Sequence, residues 1–115
     1  QITANVIFNT AGRVPSTDSL KLENAGVVTD SDGIVVNNKM QSTTQSHIYA
    51  CGDVSAHALP LTPLSSIEAS VVASNLVGKP RDIEIPAIPS VVFTIPQCAT
   101  IGLTEKEAKE KKLDF

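Results

Sequence analysis

The sequence predicts an α+β chain that is one piece of a larger structure. Three observations predict it. Short apolar and β-branched runs, such as Val27-Val28-Thr29 and Ile34-Val35-Val36, are separated by turn residues. One helix, Pro63 to Val77, carries start and stop signals at both ends. The strands expected near the two ends have no evident partners, so a domain folding alone would leave sheet edges open.

Each element has its own signal. Ile2 to Phe8 reads as a strand running into the turn Asn9-Thr10-Ala11-Gly12. Gly12 to Ser19 is loop by composition. Leu20 to Ala25 suits one or two helical turns, stopped by Gly26 in a left-handed cap. Asp30-Ser31-Asp32-Gly33 joins two β-branched runs as a hairpin turn. Asn37 to Ser46 is polar loop, with Met40 pinned down. His47 to Cys51 is a short strand ended by Gly52-Asp53.

The principal helix has Thr62 as expected N-cap, Pro63 at its first position and Gly78 as its stop. Leu64, Ile67, Val71, Val72, Leu76 and Val77 form a broad apolar arc, predicting a mostly buried helix. Ser66, Ser70 and Ser74 make a small stripe that admits a close neighbour. Pro80 to Pro89 reads as a linker with an extended piece at Ile83-Glu84-Ile85. Ser90 to Thr94 is a strand, and Thr104-Glu105-Lys106-Glu107 is a capping box opening a last helix to about Lys112. Glu105–Lys109 and Glu107–Lys111 are its expected i, i+4 pairs.

Composition narrows function. The chain has 115 residues, 42% hydrophobic and 18% charged, which suits a folded protein. Net charge is −3, and the lysines near the C-terminal end are interleaved with Glu105, Glu107 and Glu110. With aromatics at 3%, neither a phosphate-neutralising stripe nor base stacking is provided, which argues against nucleic acid. No apolar run approaches the roughly 20 residues of a membrane span. The first residues lack a signal-peptide pattern, and a cytoplasmic location is expected. Cys51 and Cys98 stand far apart, and with His47 and His57 they do not make a zinc spacing. Each cysteine is expected to be a buried small residue. The two histidines lie in polar loops, and no metal or catalytic role is assigned to them.

Two short stretches carry chemistry. At Ile48-Tyr49-Ala50-Cys51-Gly52-Asp53 a strand ends in Gly-Asp. Gly52 lets a ligand approach the backbone, and Asp53 points off the strand end to accept from sugar-like hydroxyls. A plain turn is the alternative reading. At Leu61-Thr62-Pro63 a helix begins, offering N–H donors and about half a positive charge to an anion. Because Pro63 has no N–H, Thr62, Leu64 and Ser65 are the expected donors.

Taken in order, Ala11-Gly12-Arg13-Val14-Pro15, Ile48 to Val54, Leu61-Thr62-Pro63, Ile88 to Pro96 and Gly102 to Ala108 resemble the pyridine nucleotide–disulfide oxidoreductase family over essentially the whole chain. That family includes glutathione reductase and dihydrolipoamide dehydrogenase. The resemblance implies that residues 1–13 end an NAD(P)-binding domain. Residues 14–79 would be the return segment of an FAD-binding domain, and 80–115 the start of an interface domain that pairs two subunits.

It also implies roles. Gly12 would approach the nicotinamide dinucleotide through its backbone. Gly52 and Asp53 would meet the ribityl chain of FAD, with Leu61 and Thr62 at the flavin's N1/O2 edge. Val91 would lie near the nicotinamide. Hydride would pass from NAD(P)H to FAD, and electrons on to a small-molecule or protein disulfide, in a homodimer.

Leu-Thr-Pro and Val-Val-Phe-Thr look closer to the glutathione reductase branch than to lipoamide dehydrogenases, but Ser70, Pro60 and Ser16 stand where that branch carries other residues. The substrate is left open. The family's Cys-x4-Cys pair, its Gly-rich fingerprints and its His–Glu pair are not in this stretch, so the chain alone is expected to be inactive, with no catalytic residue of its own. Two other readings remain: a non-catalytic scaffold or dimerisation module, and a related flavoprotein with a non-disulfide acceptor.

Overall fold

A computed structural model describes residues 2–57 and 60–114. The core of the first part is small: Val27, Ile34 and Ala50 are buried together, with Leu22, Val36, Ile48 and Val54 packed around them. Around this core the backbone makes tight turns and single bridges rather than long ladders. Two 3-10 turns, Asp18–Leu20 and Leu22–Ala25, end at Gly26 in the left-handed conformation, as the sequence predicts.

The expected hairpin forms at its turn. The Asp30 side chain accepts from the amides of Asp32 and Gly33, and Thr29 bridges Ile34 antiparallel. Ile34 then reaches across to the segment after Asp53. Its amide donates to the Val54 carbonyl at 2.8 Å, and its carbonyl accepts from Ala56 at 2.9 Å. Gly33 makes this crossing possible. A Cβ there would fall 2.2 Å from the Val54 carbonyl oxygen, and its φ of 139° disfavours a side chain. Met40 is fully buried, as its isolation in a polar loop predicts.

Several expectations change. Ile2 to Phe8 forms no strand; its apolar residues lie open to solvent, because no neighbouring segment among the described residues supplies a ladder. Of the strand expected over His47 to Cys51, His47 belongs to a turn, and the rest is reduced to one bridge, Gln41 with Tyr49, flanked by bonds from Ser42 to Ile48 and from Ala50 to Met40.

Helix α1 spans Thr62–Leu76. Its N-cap is Leu61, whose backbone is extended, and Thr62 is already helical, so the Thr62 hydroxyl makes no capping bond. The apolar arc is only partly covered: Leu64 and Val71 are buried, whereas Leu76 and Val77 face solvent. The third residue buried along α1 is Glu68. After Gly78 the chain doubles back along the helix. The Asn75 side chain donates to the carbonyls of Lys39 and Arg81 and accepts from the Arg81 amide, while Arg81 reaches Ser70. That close return uses the small stripe.

The last part is a ribbon and a helix. Strand β1, Ser90–Val92, pairs antiparallel with β2, Cys98–Thr100, in the register Val91 opposite Ala99. No pattern in the sequence predicts this second strand. Cys98 is exposed on it, contrary to the expectation of a buried residue, and Cys51 is only half-buried. Helix α2, Glu105–Glu110, opens with the predicted capping box. Lys109 pairs with Glu105 as expected. Glu107 instead turns its carboxylate back to the Thr104 amide and hydroxyl, and the other helical pair is Lys106 with Glu110.

Candidate functional site

The site begins where the extended segment through Cys51 breaks into a 3-10 turn, Gly52–Val54. Gly52 takes φ 76°, a left-handed conformation suited to glycine, and this reverses the chain. The turn closes on itself: the amide and the hydroxyl of Ser55 both donate to the Gly52 carbonyl, at 2.9 and 3.1 Å. It also leans on the first turns of α1. A Cβ on Gly52 would stand 3.4 Å from the Ser65 hydroxyl.

Glu68 fastens the turn from below. Its carboxylate accepts from the Gly52 amide at 2.5 Å and shares the single Ser55 hydroxyl proton with the Gly52 carbonyl, at 3.4 and 3.1 Å. Nothing in the sequence reading singled Glu68 out. The available signal was its spacing, four residues after Leu64 and three before Val71, which puts a carboxylate on the buried helix face. Burial, and then the charge of Glu68, push the Cys51 thiol above its ordinary pKa. Cys51 is thus held as a thiol, away from the thiolate a redox nucleophile uses.

Asp53 projects outward from the turn and accepts from the Arg13 guanidinium at 3.2 Å. The two sit on the rim of an open cavity of about 870 Å3, which Val14, Ser31, His57 and Pro60 also line. His57 Nδ1 is buried there with no hydrogen-bond partner among the described residues. Among the described residues no trio of His, Cys, Asp and Glu is placed to hold a metal ion. A carboxylate, a guanidinium and hydroxyls around one hollow suit a ligand with hydroxyl and anionic groups.

The other expected residues divide. Gly12 is exposed, with nothing within 4 Å of where a Cβ would be, and it precedes the Arg13 that meets Asp53. Leu61 and Thr62 stand at the end of α1 on which the turn leans, without lining the cavity. The helix-start donors are fewer than expected. The amides of Leu64 and Ser65 both donate to the Leu61 carbonyl, leaving Thr62 as the expected donor that this carbonyl does not engage. Val91 lies on β1, outside this lining.

This arrangement, a clamped Gly-Asp turn against a helix start, coincides with the match to two patterns of one family. The pyridine nucleotide-disulphide oxidoreductase pattern covers residues 1–75, and the dimerisation domain of the same family covers 88–115. The chain belongs to the pyridine nucleotide-disulphide oxidoreductase family.

It is 39% identical over 114 residues to a dihydrolipoyl dehydrogenase of Bacillus subtilis, covering 99% of this chain and 24% of that protein. It is 40% identical over 114 residues to a mercuric reductase of Staphylococcus aureus, covering 98% of this chain and 21% of that protein. Its fold is similar to the HOCl-induced flavoprotein disulfide reductase RclA of Escherichia coli, solved as a Cu(II) complex. The TM-score is 0.74 at 32% identity, over 88% of this chain and 24% of that one. The chain thus spans about a quarter of the length of these relatives. No helix among the described residues is long and apolar enough to cross a membrane.

Proposed function

We propose that this chain is the part of an FAD- and NAD(P)H-dependent disulfide oxidoreductase that completes the flavin site and begins the subunit interface. The observation that carries the reading is Asp53, held outward at the rim of a hollow by a turn that is clamped to α1 through Glu68. The family uses FAD and NAD(P)H. When bound, FAD supplies the two-electron relay between nicotinamide and disulfide.

The residues of this chain bind and orient. Asp53 would accept from ribityl hydroxyls, and Gly52, packed against Ser65, makes the turn that presents it. Leu61 and Thr62 begin the helix whose positive end favours the charge that builds on the reduced ring. Gly12 would close the NAD(P)-binding part at residues 1–13, and Val91 would lie near the nicotinamide. Residues 14–79 serve the FAD domain, and 80–115 open the interface of a cytoplasmic homodimer. The match of 88–115 to a dimerisation domain supports that last assignment.

A second reading differs only in the electron acceptor. Similarity to a mercuric reductase favours a metal ion in place of a disulfide. One experiment tests the common core. The parent polypeptide should purify with flavin absorbance and oxidise NAD(P)H with a disulfide or a metal ion present, while the isolated 115-residue chain takes up no stoichiometric FAD. A colourless parent that ignores NAD(P)H overturns the proposal. Comparing the disulfide with Hg(II) separates the two acceptors.

A further inference from the structure

We infer that Glu68 is the positioning residue that holds the Gly52-to-Ser55 turn in the shape presenting Asp53 to its ligand; this rests on the flavin reading above. A carboxylate on an apolar helix face is costly unless its oxygens are hydrogen-bonded. Glu68 is 2% exposed, between buried Leu64 and Val71. Its Oε2 accepts from the Gly52 amide and shares the Ser55 hydroxyl proton with the Gly52 carbonyl, so it meets both ends of the turn that carries Asp53. Among the described residues no Lys, Arg or His forms an ion pair with it.

An apolar side chain at this position would leave the Gly52 amide without this acceptor. Glu68 and Asp53 do not bond each other; Asp53 pairs with Arg13. The influence therefore runs through the backbone of the turn, from an acceptor beneath it to a carboxylate above it.

The test is a double-mutant cycle in the parent flavoprotein, reading FAD affinity by fluorescence titration of the apoprotein. Glu68→Ala is expected to raise the FAD Kd about tenfold, and Glu68→Gln, which keeps an acceptor oxygen, to recover most of that loss. In an Asp53→Ala background, Glu68→Ala should add nothing further. Ser55→Ala removes one donor and should raise Kd about threefold, which keeps the test decisive if Glu68→Ala does not fold. Unchanged affinity in Glu68→Ala, or in Ser55→Ala where it must substitute, overturns the inference, as do effects of Glu68 and Asp53 that multiply. A wild-type protein that binds no FAD overturns the flavin reading and this one with it. Flavin binding that depends on Asp53 but not on Glu68 overturns this one alone.

Discussion

The Arg13 guanidinium donates to the Asp53 carboxylate across 3.2 Å, joining positions 40 residues apart. The pair ties an open first segment, which has no ladder of its own, to the turn of the candidate site. Both side chains are more than half exposed, at 77% and 57%. Exposed pairs of this kind contribute about 0–1 kcal/mol. Arg13→Ala should therefore lower the stability of the parent protein by less than about 1 kcal/mol, and by less again in high salt. Denaturant unfolding at two ionic strengths checks this. A salt-independent loss of several kcal/mol would mean that the pair is enclosed in the parent.

Gly33→Ala should be among the most damaging single-methyl changes. The added carbon would meet the Val54 carbonyl oxygen, the acceptor of the Ile34 amide. The loss expected is about 2–4 kcal/mol from the clash and the strained φ together. Gly12→Ala meets open space and should cost only about 1–2 kcal/mol of backbone strain. Melting curves of the two variants side by side give the comparison; equal losses would contradict it.

Met40→Ala should cost about 2–5 kcal/mol, because Met40 is 0% exposed and its removal leaves a cavity beneath a loop. The same substitution at a solvated loop residue would be close to neutral. Unfolding by urea, with the midpoint shifted and the slope unchanged, is the expected signature.

Elements decided by neighbouring residues were legible in the sequence; those decided by distant partners were not. The Thr104–Glu107 box, the Asp30 turn and the Gly26 stop depend on atoms within a few positions, and all three form. Ile2 to Phe8 has the right residues for a strand, but a strand exists only with a partner. Cys98-Ala99-Thr100 is not legible in the sequence, because three residues after a proline turn carry no usable periodicity. In the site, Gly52 and Asp53 stood out as a strand-ending pair. Their supports did not, since Arg13 and Glu68 are brought in from 40 and 16 residues away. A glutamate within a helix ordinarily marks the solvated face, so its residue type gives no sign that Glu68 is buried.

Acid should loosen helix α2. The Thr104 hydroxyl, then the Thr104 amide, hydrogen-bond the Glu107 carboxylate and hold its pKa below the ordinary value. A lowered folded pKa means that this contribution is fully present above the unfolded value, about 4.3, and is lost as pH falls through the folded one. Glu107→Gln should flatten this acid-dependent fraying. Carboxyl chemical shifts of Glu107 followed from pH 7 to 2 would show a midpoint under the usual glutamate range; a midpoint at or above it contradicts the prediction.

The β1–β2 ribbon has consequences at the bench. With two strands and exposed Val92, Phe93 and Ile95 around its turn, it offers sticky borders to any other copy in solution. Purified apart from its parent, the chain should therefore cloud as it is concentrated. Its useful life in the tube would be set by how much protein is present and by whatever mild detergent or partner shields those borders.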